Sequence, residues 1–168
     1  MSISWSRFRR AADSVLETVG CTPMVKLNHI PRAEGVEAEI FVKLEKMNPT
    51  ESIKDRIYRE MILNALRRRD LKPGMEIIEA STGNAGISCT FVGGILGFKV
   101  TVVMPEGMSE ERPKTITALG GEVIFTPGGE SDVDLCKMRI AELKASNPGR
   151  YWEPAQFENQ DNPLAHYK

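Results

Sequence analysis

The chain has 168 residues, 41% of them apolar and 27% charged, with a net charge of −1. That balance is ordinary for a soluble globular protein and excludes low-complexity disorder; it offers no basic surface for nucleic acid. No apolar run nears the roughly 20 residues that cross a bilayer, and Met1–Arg10 lacks the apolar stretch of a secretory signal. Three scattered cysteines and two histidines argue against a disulfide framework and a His/Cys metal site, and fit a reducing cytoplasm.

The first forty residues have no clear rhythm: Ser14 to Gly20 reads as a short helix and Met24 to Leu27 as a short strand. From Ile40 onward, short β-branched runs alternate with helical periods. Ile40 to Leu44 reads as a strand. Ile57, Met61, Ile62, Ala65 and Leu66 then recur at helical spacing, with Lys72-Pro73-Gly74 as the stop. Ser52 with Asp55 predicts a capping box at the start, which puts Lys54 in the first turn. Arg67-Arg68-Arg69 reads as a solvated last turn.

Glu76–Ala80 is the next strand. The turn Ser81-Thr82-Gly83-Asn84-Ala85-Gly86 leads into an apolar, and therefore buried, helix from about Ala85 to Leu96, in which Gly93 and Gly94 allow close packing. Lys99–Met104 is a valine-rich strand of the buried parallel kind. A helix over Ser109–Leu119, a strand over Glu122–Phe125 and a helix opened by Ser131 and Asp134 follow. Asn147-Pro148-Gly149 ends the last one. Beyond Tyr151 the chain reads as irregular. The β-α alternation predicts a three-layer α/β fold, a parallel sheet with helices on both faces and right-handed crossovers.

The chemistry sits in two of these connections. In Asn48-Pro49-Thr50-Glu51-Ser52-Ile53-Lys54-Asp55-Arg56 a lysine lies at the positive end of a helix dipole, which disfavours a charged ammonium and suits an amine that forms a Schiff base. The Ser81–Gly86 turn ends a strand and opens a helix, so its N–H groups can bind phosphate or carboxylate. Gly83 and Gly86 permit close approach, and Ser81, Thr82 and Asn84 add side-chain hydrogen bonds. Taken singly, each has an ordinary explanation: a solvent-exposed lysine, and a capped strand–helix connection. Their combination points to pyridoxal phosphate (PLP). A nucleotide-binding domain is the rival, but neither G-x-G-x-x-G nor G-x-x-x-x-G-K-[ST] occurs.

Five segments in register resemble the fold-type-II PLP enzymes, most closely the cysteine synthases (O-acetylserine sulfhydrylases) and cystathionine β-synthases. Val19–Asn28 resembles the opening G-N-T-P-L-V-x-L, and Asn48–Arg56 resembles N-P-x-x-S-x-K-D-R. Ser81–Gly86 resembles T-S-G-N-T-G, while Met104–Arg112 with Ala118–Gly121 resembles M-P-x-x-M-S-x-E-R…A-L-G-A. Gln156-Phe157 with Asn162-Pro163 and His166 resembles Q-F-x-N-P-x-N-P-x-x-H.

The resemblance implies a tryptophan synthase β-like fold and a role for each matched residue. Lys54 would be the catalytic residue, carrying PLP as an internal aldimine and moving the Cα proton. Asn84 would contact the cofactor's ring hydroxyl oxygen. Ser81, Thr82, Gly83, Asn84, Ala85 and Gln156 would bind the substrate carboxylate. The implied reaction is β-replacement on O-acetylserine or O-phosphoserine by sulfide or another thiol, through an aminoacrylate. Cystathionine β-synthase activity, a serine/threonine dehydratase and a non-catalytic PLP-fold module are the alternatives; M-P-x-x-M-S-x-E-R and Gln156-Phe157 favour the synthase branch, and retention of Lys54 and Gln156 argues against a scaffold. A cytoplasmic homodimer is implied as well.

There are departures from the family pattern: Ala85 replaces a threonine, Ser81-Thr82 inverts the usual order, and Cys21 stands where asparagine is common. These bear on the substrate more than on the cofactor. The resemblance divides the chain into an N-terminal arm and edge segment (1–40), a small α/β domain carrying Lys54 and the loop (41–150), and the start of a larger domain (151–168). The family's phosphate-binding G-x-G-G-T loop and its pyridine-nitrogen contact do not occur here and are expected after Lys168. The chain is thus expected to be the N-terminal portion only, binding PLP poorly and inactive alone.

Overall fold

The structure, a computed structural model, describes residues 11–167. A 3-10 turn at Val15–Thr18 is capped by Ser14, whose Oγ accepts from Leu16 N at 3.2 Å. Strands β1 (Met24–Lys26) and β2 (Phe41–Lys43) then pair antiparallel, Val25 opposite Val42, with the short helix α1 (Ile30–Ala33) between them. Helix α2 (Lys54–Arg68) follows, and Arg69 ends it in the left-handed conformation at φ 64°.

The remaining strands form one parallel sheet: β3 (Glu76–Ala80), β4 (Val100–Pro105), β5 (Glu122–Thr126) and β6 (Tyr151–Trp152), in the order β5-β4-β3-β6. Helices α3 (Asn84–Ile95), α4 (Glu111–Ala118) and α5 (Val133–Ser146) are the crossovers, and α6 (Asp161–Leu164) closes the described chain. Side chains alternate across a strand, so adjacent apolar residues serve opposite layers. Ile77, Val100, Val102 and Met104 pack with Ile57, Met61 and Ile62 of α2, Cys89 and Val92 of α3 and Ile116 of α4. Ile78, Ala80 and Val103 pack with Cys136 and Ile140 of α5 on the other face. The three-layer α/β class expected from the alternation is the observed one.

A Cβ on Gly93 would lie 2.5 Å from Val100 Cγ2, and one on Gly86 would lie 2.9 Å from Val102 Cγ1. These glycines let α3 lie directly on β4, as expected for Gly93.

Several local expectations are corrected. The 40–44 strand is shorter and lies outside the parallel sheet, because it pairs with β1. The edge beside β3 is taken by β6, in a stretch that reads as irregular: Glu76 pairs with Tyr151 and Ile77 with Trp152. Two paired residues leave too little alternation to be legible. Helix α2 ends before Lys72-Pro73-Gly74, and α4 begins at Glu111 rather than Ser109. Asp132, not Ser131, flanks α5, and its carboxylate turns back to accept from Gly129 N at 2.7 Å. The exposed Arg67 to Arg69 agree with a solvated last turn.

Candidate active site

Helix α2 begins at Lys54, after a turn in which Glu51 takes a left-handed conformation at φ 59°. The expected capping box is half formed. Ser52 Oγ accepts from Lys54 N at 3.1 Å, but Asp55 turns elsewhere. Fully buried, it accepts from Thr50 N at 2.8 Å, from Ser88 Oγ at 2.6 Å and from Thr50 Oγ1. The aspartate thus ties the approach to Lys54 onto α3, where a reciprocal cap would only have closed a local turn.

Arg56 points the other way. Its Nε and Nη2 donate to the Glu45 carboxylate at 2.7 and 2.8 Å, and Nη2 also reaches Gly20 O and Thr22 Oγ1, each at 3.0 Å. Asn48 Oδ1 accepts from Gly20 N at 2.8 Å. Hydrogen bonding from Arg56 holds the Glu45 carboxyl well below its usual range, at about 2. The Gly20–Thr22 segment and the lysine segment, far apart in sequence, are therefore one charged, hydrogen-bonded unit.

The Ser81–Gly86 turn is closed from inside. Ser81 is buried, and its Oγ accepts from Gly83 N at 3.1 Å and Gly86 N at 2.7 Å. Its hydroxyl is spent on the loop rather than offered to the cleft. Among the described residues, the Asn84 and Ala85 N–H groups at the head of α3 have no acceptor. First-turn amides are orphaned by helix geometry and carry the positive end of the dipole. Thr82 is half-buried, and Arg112 Nη1 donates to its carbonyl.

Gln156 comes from the far end of the chain. Asp161 accepts from Asn64 Nδ2 at 2.8 Å and Arg68 Nη2 at 2.7 Å, which fastens α6 to α2. Asn162 Nδ2 donates to Gln156 O at 2.7 Å, and Ala155 turns the backbone through the left-handed region at φ 49°. A non-glycine residue there carries strain of order 1 kcal/mol, and the result is an inward-facing glutamine. Lys54 Nζ donates to Gln156 Oε1 at 3.0 Å.

A cleft of about 310 Å³ gathers the residues given a catalytic or binding role from the sequence: Lys54, Ser81 to Ala85 and Gln156. Arg112, Glu130 and Phe157 also line it. The first and last belong to segments already singled out, whereas Glu130 is an exposed loop residue with no signal in the sequence. Glu79, one residue from the cleft wall, carries no signal in the sequence beyond that of a strand. Among the described residues no group of three or more His, Cys, Asp or Glu could hold a metal, and no helix is long and apolar enough to cross a membrane.

Residues 15–168 match the family model for pyridoxal-phosphate dependent enzymes. The chain belongs to that family. It is 40% identical to cysteine synthase of Staphylococcus aureus over 158 residues, covering 94% of this chain and 49% of the relative. It is 37% identical to cystathionine beta-synthase of Apis mellifera over 166 residues, covering 95% of this chain and 32% of that protein. The solved cysteine synthase of Entamoeba histolytica superposes with a TM-score of 0.92 at 38% identity, covering 99% of this chain and 49% of that one. The chain thus spans half or less of the length of these relatives. The cofactor of the family is pyridoxal 5′-phosphate. The described residues fit the aldehyde end of that group and a carboxylate beside it: the Lys54 amine shares one cleft with two orphaned N–H groups.

Proposed function

We propose that this chain carries the lysine, the carboxylate-binding loop and the glutamine of a PLP-dependent β-replacement site. The substrate is an activated serine, O-acetylserine first and O-phosphoserine second, and the nucleophile is sulfide or a small thiol. One observation supports this most: Lys54 Nζ meets Gln156 Oε1 beside the orphaned amides of α3. The kinship to cysteine synthases points the same way.

Bound in the cleft, PLP supplies the electron sink that lets a Cα proton leave. Lys54 would hold the cofactor through Nζ, and the same nitrogen would take the Cα proton. Gln156 Oε1 accepts from that nitrogen and so sets its direction. The Asn84 and Ala85 amides receive the substrate carboxylate at the positive end of α3. The exposed Asn84 side chain serves the ring hydroxyl oxygen, and Thr82 adds a hydroxyl to the carboxylate. Ser81 acts indirectly by keeping the loop closed. Arg112, on the cleft wall, does the same through the Thr82 carbonyl. Such preorganisation lowers the entropic part of the barrier. A cytoplasmic homodimer is part of the proposal, and the three free thiols agree with a reducing compartment.

The test is trapping. The chain is incubated with PLP and reduced with borohydride, and the modified lysine is identified by peptide mass spectrometry. The expected adduct is on Lys54, lost in Lys54→Ala. Label spread evenly over exposed lysines such as Lys46 and Lys72 overturns the reading. Assay of the whole protein for cysteine from O-acetylserine and sulfide, against release of a keto acid, separates synthase from dehydratase.

A further inference from the structure

The loop that delivers Gln156 is bonded to itself from entry to exit. Ala155 O accepts from Glu158 N at 2.9 Å and from Asn159 N at 3.1 Å. Asn159 spans the loop: its Nδ2 donates to Pro154 O and its Oδ1 accepts from Asp161 N, each at 2.9 Å. Asn162 Nδ2 then donates to Gln156 O at 2.7 Å. Residues 154–162 are thus held as one body, and the way that body is attached decides where the Gln156 side chain points.

The attachment is to α2. Asp161 is 7% exposed and accepts from Arg68 Nη2 at 2.7 Å and from Asn64 Nδ2 at 2.8 Å. Asn64 Nδ2 also donates to Glu60 Oε1 at 2.9 Å, which steadies it on its own helix. Beside this clamp Ala165 joins the buried cluster of Tyr58, Met61, Ile62 and Ala65. Apolar packing is non-directional, whereas charged hydrogen bonds are strong and directional. Ala165 therefore fixes how deep α6 sits, and Asp161 fixes how it is turned.

Lys54 opens the same helix, which is 15 residues long. About 21 Å of helix rise separates it from Arg68. Both partners of the 3.0 Å contact between Lys54 Nζ and Gln156 Oε1 are consequently carried by α2, the lysine directly and the glutamine through Asp161.

We propose that Asp161, clamped by Arg68 and Asn64, is a positioning residue for Lys54 that acts through Gln156, with α2 as the ruler between them. Loss of the clamp turns the 154–162 body, takes Gln156 Oε1 off Lys54 Nζ and leaves the amine unaimed. What that aim is for rests on the reading of Lys54 given above.

The test needs no cofactor. Lys54 of the full chain is acetylated by trace acetic anhydride at about pH 8 and quantified by peptide mass spectrometry, with Lys46 and Lys72 as references. Gln156→Ala and Asp161→Ala are each expected to raise the Lys54 rate about fivefold, the factor for one ordinary hydrogen bond, and to leave the references unchanged. On the Gln156→Ala background, Asp161→Ala should add nothing, because the clamp then has no contact to aim. A merely structural role would instead add its full effect there. Arg68→Met, at a half-exposed position, is expected to give part of the Asp161→Ala effect with the same dependence on Gln156. Lys54 at the wild-type rate in both clamp variants, or a clamp effect undiminished on the Gln156→Ala background, overturns the proposal. If Asp161→Ala does not fold, Arg68→Met alone and combined with Gln156→Ala decides. Since PLP takes no part, failure here leaves the trapping result to judge the PLP reading separately.

Discussion

The two sheets of this chain are made of similar apolar strings and end in opposite surroundings. Every residue of β4 is buried, whereas every residue of β1 and β2 is exposed. Phe41 is 52% exposed and Met24 63%, although two of the three residues in each of these strands are apolar. Helices cover β4 on both faces; among the described residues, none does so for the β1–β2 pair. A strand's identity is local, but its contribution to stability depends on what lies over it. The small sheet instead holds the Thr22 segment in place, where Lys43 Nζ donates to Thr22 Oγ1 at 2.6 Å.

That contrast can be pressed by mutation. Ile78→Ala, beneath α5, is expected to cost about 2–5 kcal/mol in urea unfolding. Asp55→Ala strands the Thr50 N–H and two hydroxyls and is expected to cost about 3 kcal/mol. The same variant should lower the yield of borohydride-trapped PLP on Lys54, because the lysine segment comes loose from α3.

Arg56→Met is expected to cost about 2 kcal/mol at pH 7. The Glu45 carboxyl is depressed in the fold, so its contribution is full above about pH 4.5 and fades as pH falls towards about 2. The gap between wild type and Arg56→Met should therefore close over that acid window, as read from melts at several pH values. Phe41→Ala should move stability by about 0.5 kcal/mol or less, being at the surface. If it costs as much as Ile78→Ala, the contrast between the sheets is wrong.

Much of this was legible beforehand. The strands at 76–80 and 100–105 and the helix between them follow from apolar runs bounded by glycine, proline and asparagine. The candidate site was legible because its members lie in short segments of unusual composition: a lysine at a helix start, a glycine-containing turn after a strand, and Gln156 beside Phe157. Strand β6 was not, since two residues carry no period. The partner of Asp55 was not, because capping boxes are read from local spacing and Ser88 is on another helix. Glu79 was hidden for a related reason: a single charge within an apolar strand reads as its exposed face, and only the covering α2 and α3 turn it inward.

Sequence alone determined the α/β class, the order of elements from β3 to α5 and the identity of the residues that meet at Lys54, because periodicity and turn chemistry act over a few neighbouring residues. The tertiary structure decided which strands join the main sheet, that Ser81 serves its own loop, and that Glu79 and Tyr58 are buried. Those outcomes depend on burial and hydrogen bonds between segments far apart in the chain, which local patterns do not encode.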